Sequence, residues 1–152
     1  MRRCHLAAGR LHEAEQAFLK AKDEDICPLR MLESMHEALA EVARAYRVPL
    51  VDARALFREH TPDGILGNEL LLDHVHPTIS GHQLIAQALL GELVHMGLAR
   101  PQPGWEGRRQ EAYRKHLGSL DTPYFARAKE RLEGQRRWTE GRARRLAKPV
   151  RP

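Results

Sequence analysis

Serine, cysteine and aromatic residues are scarce in this 152-residue chain, and each scarcity narrows the chemistry available. The two cysteines, Cys4 and Cys27, form no metal-binding spacing and no disulfide framework, so free thiols are expected. The three serines are Ser34, Ser80 and Ser119, and none lies in the Gly-x-Ser-x-Gly elbow that would expose a nucleophile. Ser34 falls inside a helical pattern, Ser80 reads as a helix cap, and Ser119 sits at a turn between two helices. No apolar run approaches membrane-spanning length, and Met1-Arg2-Arg3-Cys4-His5 leads into polar sequence without the apolar region of a signal peptide. The reading is a soluble chain, cytoplasmic if it is complete. Hydrophobic content of 42% supports a core in one modest domain with an appended arm, although aromatics at 5% are sparse.

Charge is present in plenty but unevenly placed. Residues 127–152 carry ten Lys/Arg against three Asp/Glu, a net of +7, while the other residues carry fifteen against seventeen, a net of −2. A basic tail of this kind can bind phosphate on nucleic acid or an anionic membrane. The tail lacks the interleaved aromatics of single-strand binders, so a solvated helix face is the preferred reading and nucleic acid is not expected as a partner.

From Leu29 to Tyr46, Leu32, Met35, Leu39, Val42 and Ala43 recur at helical spacing. Val48-Pro49-Leu50-Val51-Asp52 is a short apolar run, which predicts a buried parallel strand covered by the helices at 30–46 and 80–96. Ala53–Glu59 reads as a short helix, Thr61–Asn68 as a loop rich in turn formers, and Thr78–Gly97 as a helix. Pro101-Gln102-Pro103-Gly104 is a linker, and Trp105–Leu117 and Thr122–Ala147 read as helices. The sequence divides into a helical segment at 1–28, a middle domain at 29–98 and a helical basic extension at 99–152.

The chemistry concentrates in Asp73-His74-Val75-His76-Pro77-Thr78-Ile79-Ser80-Gly81-His82. Hydrolysis needs an imidazole near the surface, held in one tautomer by a carboxylate so that its other nitrogen can take a proton. Asp73 and His76, three apart in a loop stiffened by Pro77, can meet that need within one short segment. Nine histidines invite a metal reading, with Asp73, His74, His76 and His82 crowded together. Yet His82 falls in the following helix, and no Cys or second carboxylate pair completes a zinc set, so neither a metal nor another cofactor is expected.

The Asp-x-x-His-Pro block resembles the last signature of SGNH (GDSL-type) hydrolases. The order of helix, apolar run, short helix, loop and final helix resembles the C-terminal third of that domain over residues 23–98. The resemblance implies an incomplete, flavodoxin-like α/β three-layer sandwich, mostly helical here with one or a few parallel strands. It also implies an esterase mechanism on acyl esters of carbohydrate or lipid, with Asp73 as triad carboxylate and His76 as general base. The family's Gly-Asp-Ser nucleophile block is missing, as are its oxyanion-hole Gly and Asn. The spacing of Gly9, Leu11, Ala14, Phe18 and Ala21 resembles the latter part of a tetratricopeptide repeat, with Pro28 falling late. That implies a protein partner on the repeat-like helices, since one such unit needs neighbours to stack on. Three functions therefore compete: an ester hydrolase inactive in this chain alone, a helical interaction module or catalytically dead remnant with a basic tail, and a basic module associated with nucleic acid.

Overall fold

A computed structural model describes residues 7–26, 28–73 and 75–146. The expectations for Cys4, Cys27 and His74 lie outside the described residues. Six helices are found among those that are described: α1 (Leu11–Asp23), α2 (Glu33–Ala45), α3 (Ala53–Glu59), α4 (Ile79–His95), α5 (Trp105–Gly118) and α6 (Thr122–Leu146). The described residues fall into two compact units, one ending at Arg100 and the other beginning at Pro101.

In the first unit α1 carries Ala14, which is completely buried, with Phe18 half-buried one turn later. A methyl group at that position lets a neighbouring segment approach the helix closely, and Arg58 of α3 comes near enough to pair with Glu15 at 2.6 Å. The second predicted helix is shorter at its start, beginning at Glu33 instead of Leu29. Leu32 at its N-cap offers no polar side chain, and Asp23 Oδ1 instead accepts the Glu33 backbone N–H at 3.1 Å. The helix therefore begins where the end of α1 supplies an acceptor for one of its unpaired donors.

The α/β sandwich predicted from the sequence is not what forms. Among the described residues there is no strand, only an isolated antiparallel bridge between Leu71 and Pro77. Residues 48–52 lie outside any regular element, and Val48 and Leu50 are exposed. Both ends of this run are committed to neighbouring helices. Arg47, with φ of 52°, and Val48 close the end of α2, their N–H groups donating to Arg44 O at 3.2 Å and Ala43 O at 2.8 Å. That double closure is the Schellman arrangement, with an arginine in the left-handed position that glycine usually holds. Pro49 has no N–H to give a sheet. Asp52 caps α3, its carboxylate accepting from Arg54 N at 3.0 Å and Ala55 N at 2.9 Å. A β-prone run without a paired neighbour has no ladder to join, and the two helix ends take its polar groups.

Packing in this unit centres on α3 against α4. Phe57, Leu70, Ala43 and Thr61 are buried, and Gly81 sits at the closest approach. A Cβ at Gly81 would lie 2.6 Å from Leu70 O, 3.0 Å from Pro77 Cβ and 3.1 Å from Phe57 Cζ. Only hydrogen fits there, so this glycine sets how tightly the first turn of α4 seats on the loop before it. No described side chain of large volume is fully buried in the chain.

In the second unit, Gly104 at φ of 72° starts α5, and Arg109 stacks over Trp105 with 4.8 Å from guanidinium carbon to ring centroid. Asp121 caps α6 through Tyr124 N at 2.8 Å. Ser119 donates its hydroxyl to His116 O at 2.6 Å, as a turn residue does.

Candidate active site

The segment from Leu70 to Thr78 is a loop closed on itself. Thr78 N donates to Leu70 O at 2.9 Å and Leu72 N to His76 O at 2.8 Å, so the chain before and after the turn runs antiparallel. The turn hangs from the start of α4. Thr78 is the cap, its Oγ1 accepting from Gly81 N at 3.1 Å while donating to Glu69 O at 3.3 Å. Ser80, expected to be the cap, lies inside the first turn of α4 and is exposed. The cap takes its place at Thr78 because that residue is extended, with ψ of 172°, whereas Ser80 already has helical neighbours on both sides.

Within the turn the Asp73 carboxylate makes three contacts. Oδ1 accepts from Val75 N and His76 N, both at 2.8 Å, and Oδ2 lies 2.8 Å from His76 Nδ1. Burial alone would raise the Asp73 carboxyl, but the two backbone donors and the His76 ring override it and hold the group well below the usual carboxylate range. Ionised Asp73 can only accept, so Nδ1 of a neutral His76 carries the proton and Nε2 is left with its lone pair. The Asp73 side chain is 10% exposed and that of His76 is 69% exposed. The carboxylate is thus shielded and anchored, while the ring it orients is open to a reacting molecule. The two residues singled out from the sequence are brought together in the arrangement that general-base chemistry uses.

The same turn borders a cleft of about 600 Å³ in the first unit. Val75 and Pro77, on either side of His76 in sequence, line it together with residues of α1, α3 and α4. Nothing local in the sequence marks this cleft, because its walls come from separate stretches spread between Glu15 and Ile85. A charged network beside it was equally hidden. Glu33 at the start of α2 pairs with Lys22 of α1 and with Arg54 of α3, the latter at 2.6 Å, joining partners 11 and 21 residues apart. Burial would raise the Glu33 carboxyl, yet Lys22 and Arg54 bring it down to about 2. Burial, followed by Arg54 and Lys22, also lowers His36 on the cleft wall, so its ring is neutral near pH 7.

Compared with protein-family models, with curated proteins and with solved structures, the chain matches none. The residues must therefore speak for themselves. Among those described, no group of three or more His, Cys, Asp or Glu is placed to hold a metal ion. No helix among them is long and apolar enough to cross a membrane.

Proposed function

We propose that Asp73 and His76 are the carboxylate and general base of an ester hydrolase of the SGNH type, whose serine nucleophile and oxyanion donors are supplied from outside this chain. One observation carries the reading: His76 Nδ1 is held 2.8 Å from a carboxylate that two backbone N–H groups also anchor. The ring so held is exposed, which leaves its Nε2 open to a substrate.

In the reaction the serine Oγ attacks the acyl carbon as its proton passes to His76 Nε2. The tetrahedral intermediate collapses, His76 returns the proton to the departing alcohol, and water repeats the sequence to release the acid. Asp73 stabilises the transient imidazolium and keeps the ring in register. None of the chain's own serines has the setting of a nucleophile. Ser119 is committed to a turn, Ser80 lies in the first turn of α4, and Ser34 in that of α2.

The test is a protein in which the sequence encoded upstream of Met1 is joined to this chain. A fluorophosphonate probe should label one serine in that added sequence, and His76→Ala should abolish labelling while leaving the far-UV spectrum unchanged. Labelling that survives His76→Ala, or an upstream sequence with no reactive serine, would overturn the reading. The alternative is a helical interaction module, favoured by the exposed stripe Met35, Leu39 and Val42 along one face of α2, continued by exposed Tyr46 at its C-cap.

A further inference from the structure

The cleft beside the dyad has a chemistry of its own. At about 600 Å³ it falls within the usual range for small-molecule sites. Its walls are mainly aliphatic and aromatic: Phe18 and Leu19 of α1, Phe57 of α3, Ile65 and Leu66 of the following loop, and Ile85 of α4. Basic side chains border those walls. Lys22, Arg30, Arg54 and Arg58 all line the cleft, and they meet only two carboxylates, Glu15 and Glu33. Glu33 serves both Lys22 and Arg54, and Arg58 is paired with Glu15. Arg30 is exposed and has no ion-pair partner among the described residues. The four cations against two carboxylates leave the cleft with a surplus of two positive charges.

We propose that this cleft binds a single-chain amphipathic anion, a medium-chain carboxylate, with the alkyl chain against Phe18, Phe57, Ile65 and Ile85 and the carboxylate at Arg30 and Arg58. An apolar wall alone would accept any hydrophobic body. The cationic surplus selects one ending in negative charge, since a carboxylate gains both charge attraction and paired hydrogen bonds from a guanidinium, whereas a neutral head gains only weaker hydrogen bonds and a cationic head is repelled. The proposal goes beyond the hydrolase reading and does not depend on it, because neither Asp73 nor His76 is among the residues that would hold the ligand.

Met31 lines the cleft, whereas Met35 and Met96 do not, so methyl-labelled methionine gives a reporter with internal controls. The chain is titrated with decanoate and, separately, with decyltrimethylammonium, which has the same tail and the opposite charge. Saturable movement of the Met31 methyl signal is expected with decanoate, with Met35 and Met96 unmoved, and decanoate should bind tighter than the cation by about tenfold or more. Arg30→Gln should weaken decanoate severalfold and leave the cation unchanged. Arg58→Gln should weaken it further, because Glu15 then loses its partner. His76→Ala should leave binding intact, which separates this proposal from the hydrolase reading. Circular dichroism checks each variant, and if Arg58→Gln unfolds, the exposed Arg30 carries the decision. Equal binding of the two detergents, or binding indifferent to Arg30→Gln, would show an unselective apolar surface and overturn the proposal. Shifts at all methionines together, or no saturable shift at Met31, would overturn it as well.

Discussion

Two glycines in α4 should respond to alanine with opposite signs, and the contrast tests how the dyad turn is seated. At Gly91 a new Cβ meets nothing within 4 Å, so Gly91→Ala gains only helix propensity and the reduced freedom of the unfolded chain. That gain is about 0.5–1 kcal/mol. At Gly81 the new methyl would lie 2.6 Å from Leu70 O, 3.0 Å from Pro77 Cβ and 3.1 Å from Phe57 Cζ. The first contact cannot be relieved by a rotamer change because it is backbone, and Leu70 O also accepts the Thr78 N–H that closes the dyad turn. Overpacking of this kind costs about 1–3 kcal/mol, and the propensity gain offsets at most about 1 kcal/mol of it. Gly81→Ala should therefore destabilise the chain by roughly 1–2 kcal/mol, leaving the two variants about 2 kcal/mol apart.

Urea unfolding followed by far-UV circular dichroism measures the difference, with the slope checked for constancy between variants. Amide exchange at Thr78 and Leu72 supplies the local readout. Gly81→Ala should speed exchange at both, because displacing Leu70 O loosens the loop from its closing bond, whereas Gly91→Ala should leave both alone. A Gly81→Ala chain as stable as Gly91→Ala, with Thr78 still protected, would refute the claim that close approach at this glycine holds the turn carrying Asp73 and His76.

Three further outcomes are expected. The ionised form of Glu33 is favoured by folding, so its contribution is present above the ordinary carboxylate pKa near 4.5 and lost as pH falls towards about 2. Acid titration of stability should show a loss on the order of 1–3 kcal/mol across that window, allowing for partial exposure, and Glu33→Gln should flatten it. Arg47 holds a left-handed conformation at the end of α2, so Arg47→Gly should raise stability by about 0.5–1 kcal/mol in the same urea assay. The chain by itself should hydrolyse p-nitrophenyl acetate no faster than free imidazole at equal concentration, because each missing oxyanion donor forfeits about 10²–10³-fold. Turnover that disappears with Ser80→Ala or Ser119→Ala would contradict this and reveal a nucleophile within the chain.

The helices and the dyad were legible in the sequence because both are short-range. Apolar spacing at Leu32, Met35, Leu39 and Val42 marks α2 without reference to anything else in the chain. The Asp73–His76 contact spans three residues, and each bond that anchors it lies between Glu69 and Gly81. Residues 48–52 misled for the opposite reason. Strand propensity there is a statement about a pleated, partnered surface, and no described segment supplies the partner. The signals that did decide the conformation were also local: Asp52 directly before a helical run, and Pro49 denying a ladder its donor. Glu33 with Lys22 and Arg54, and the cleft itself, join residues from separate helices, so no window of sequence could have shown them.

That division between local and distant contacts bears on what the dyad can mean. A turn that builds its own geometry needs no completed active site around it, and Asp73 and His76 would take up their contact in an enzyme or in an inactive descendant of one. The geometry shows an imidazole held by a carboxylate and says nothing of a nucleophile. The cleft is different in kind. Its walls exist only when α1 to α4, the loops at 29–31 and 64–66 and the turn carrying Leu71, Val75 and Pro77 assemble, and its cationic surplus depends on which residues those segments bring together. Loss of catalysis would leave the dyad's bonds intact, whereas ligand binding in the cleft can be measured without any reaction. A positive decanoate titration in a chain without esterase activity would therefore assign binding to this unit on its own evidence, with His76 then judged by what completes it.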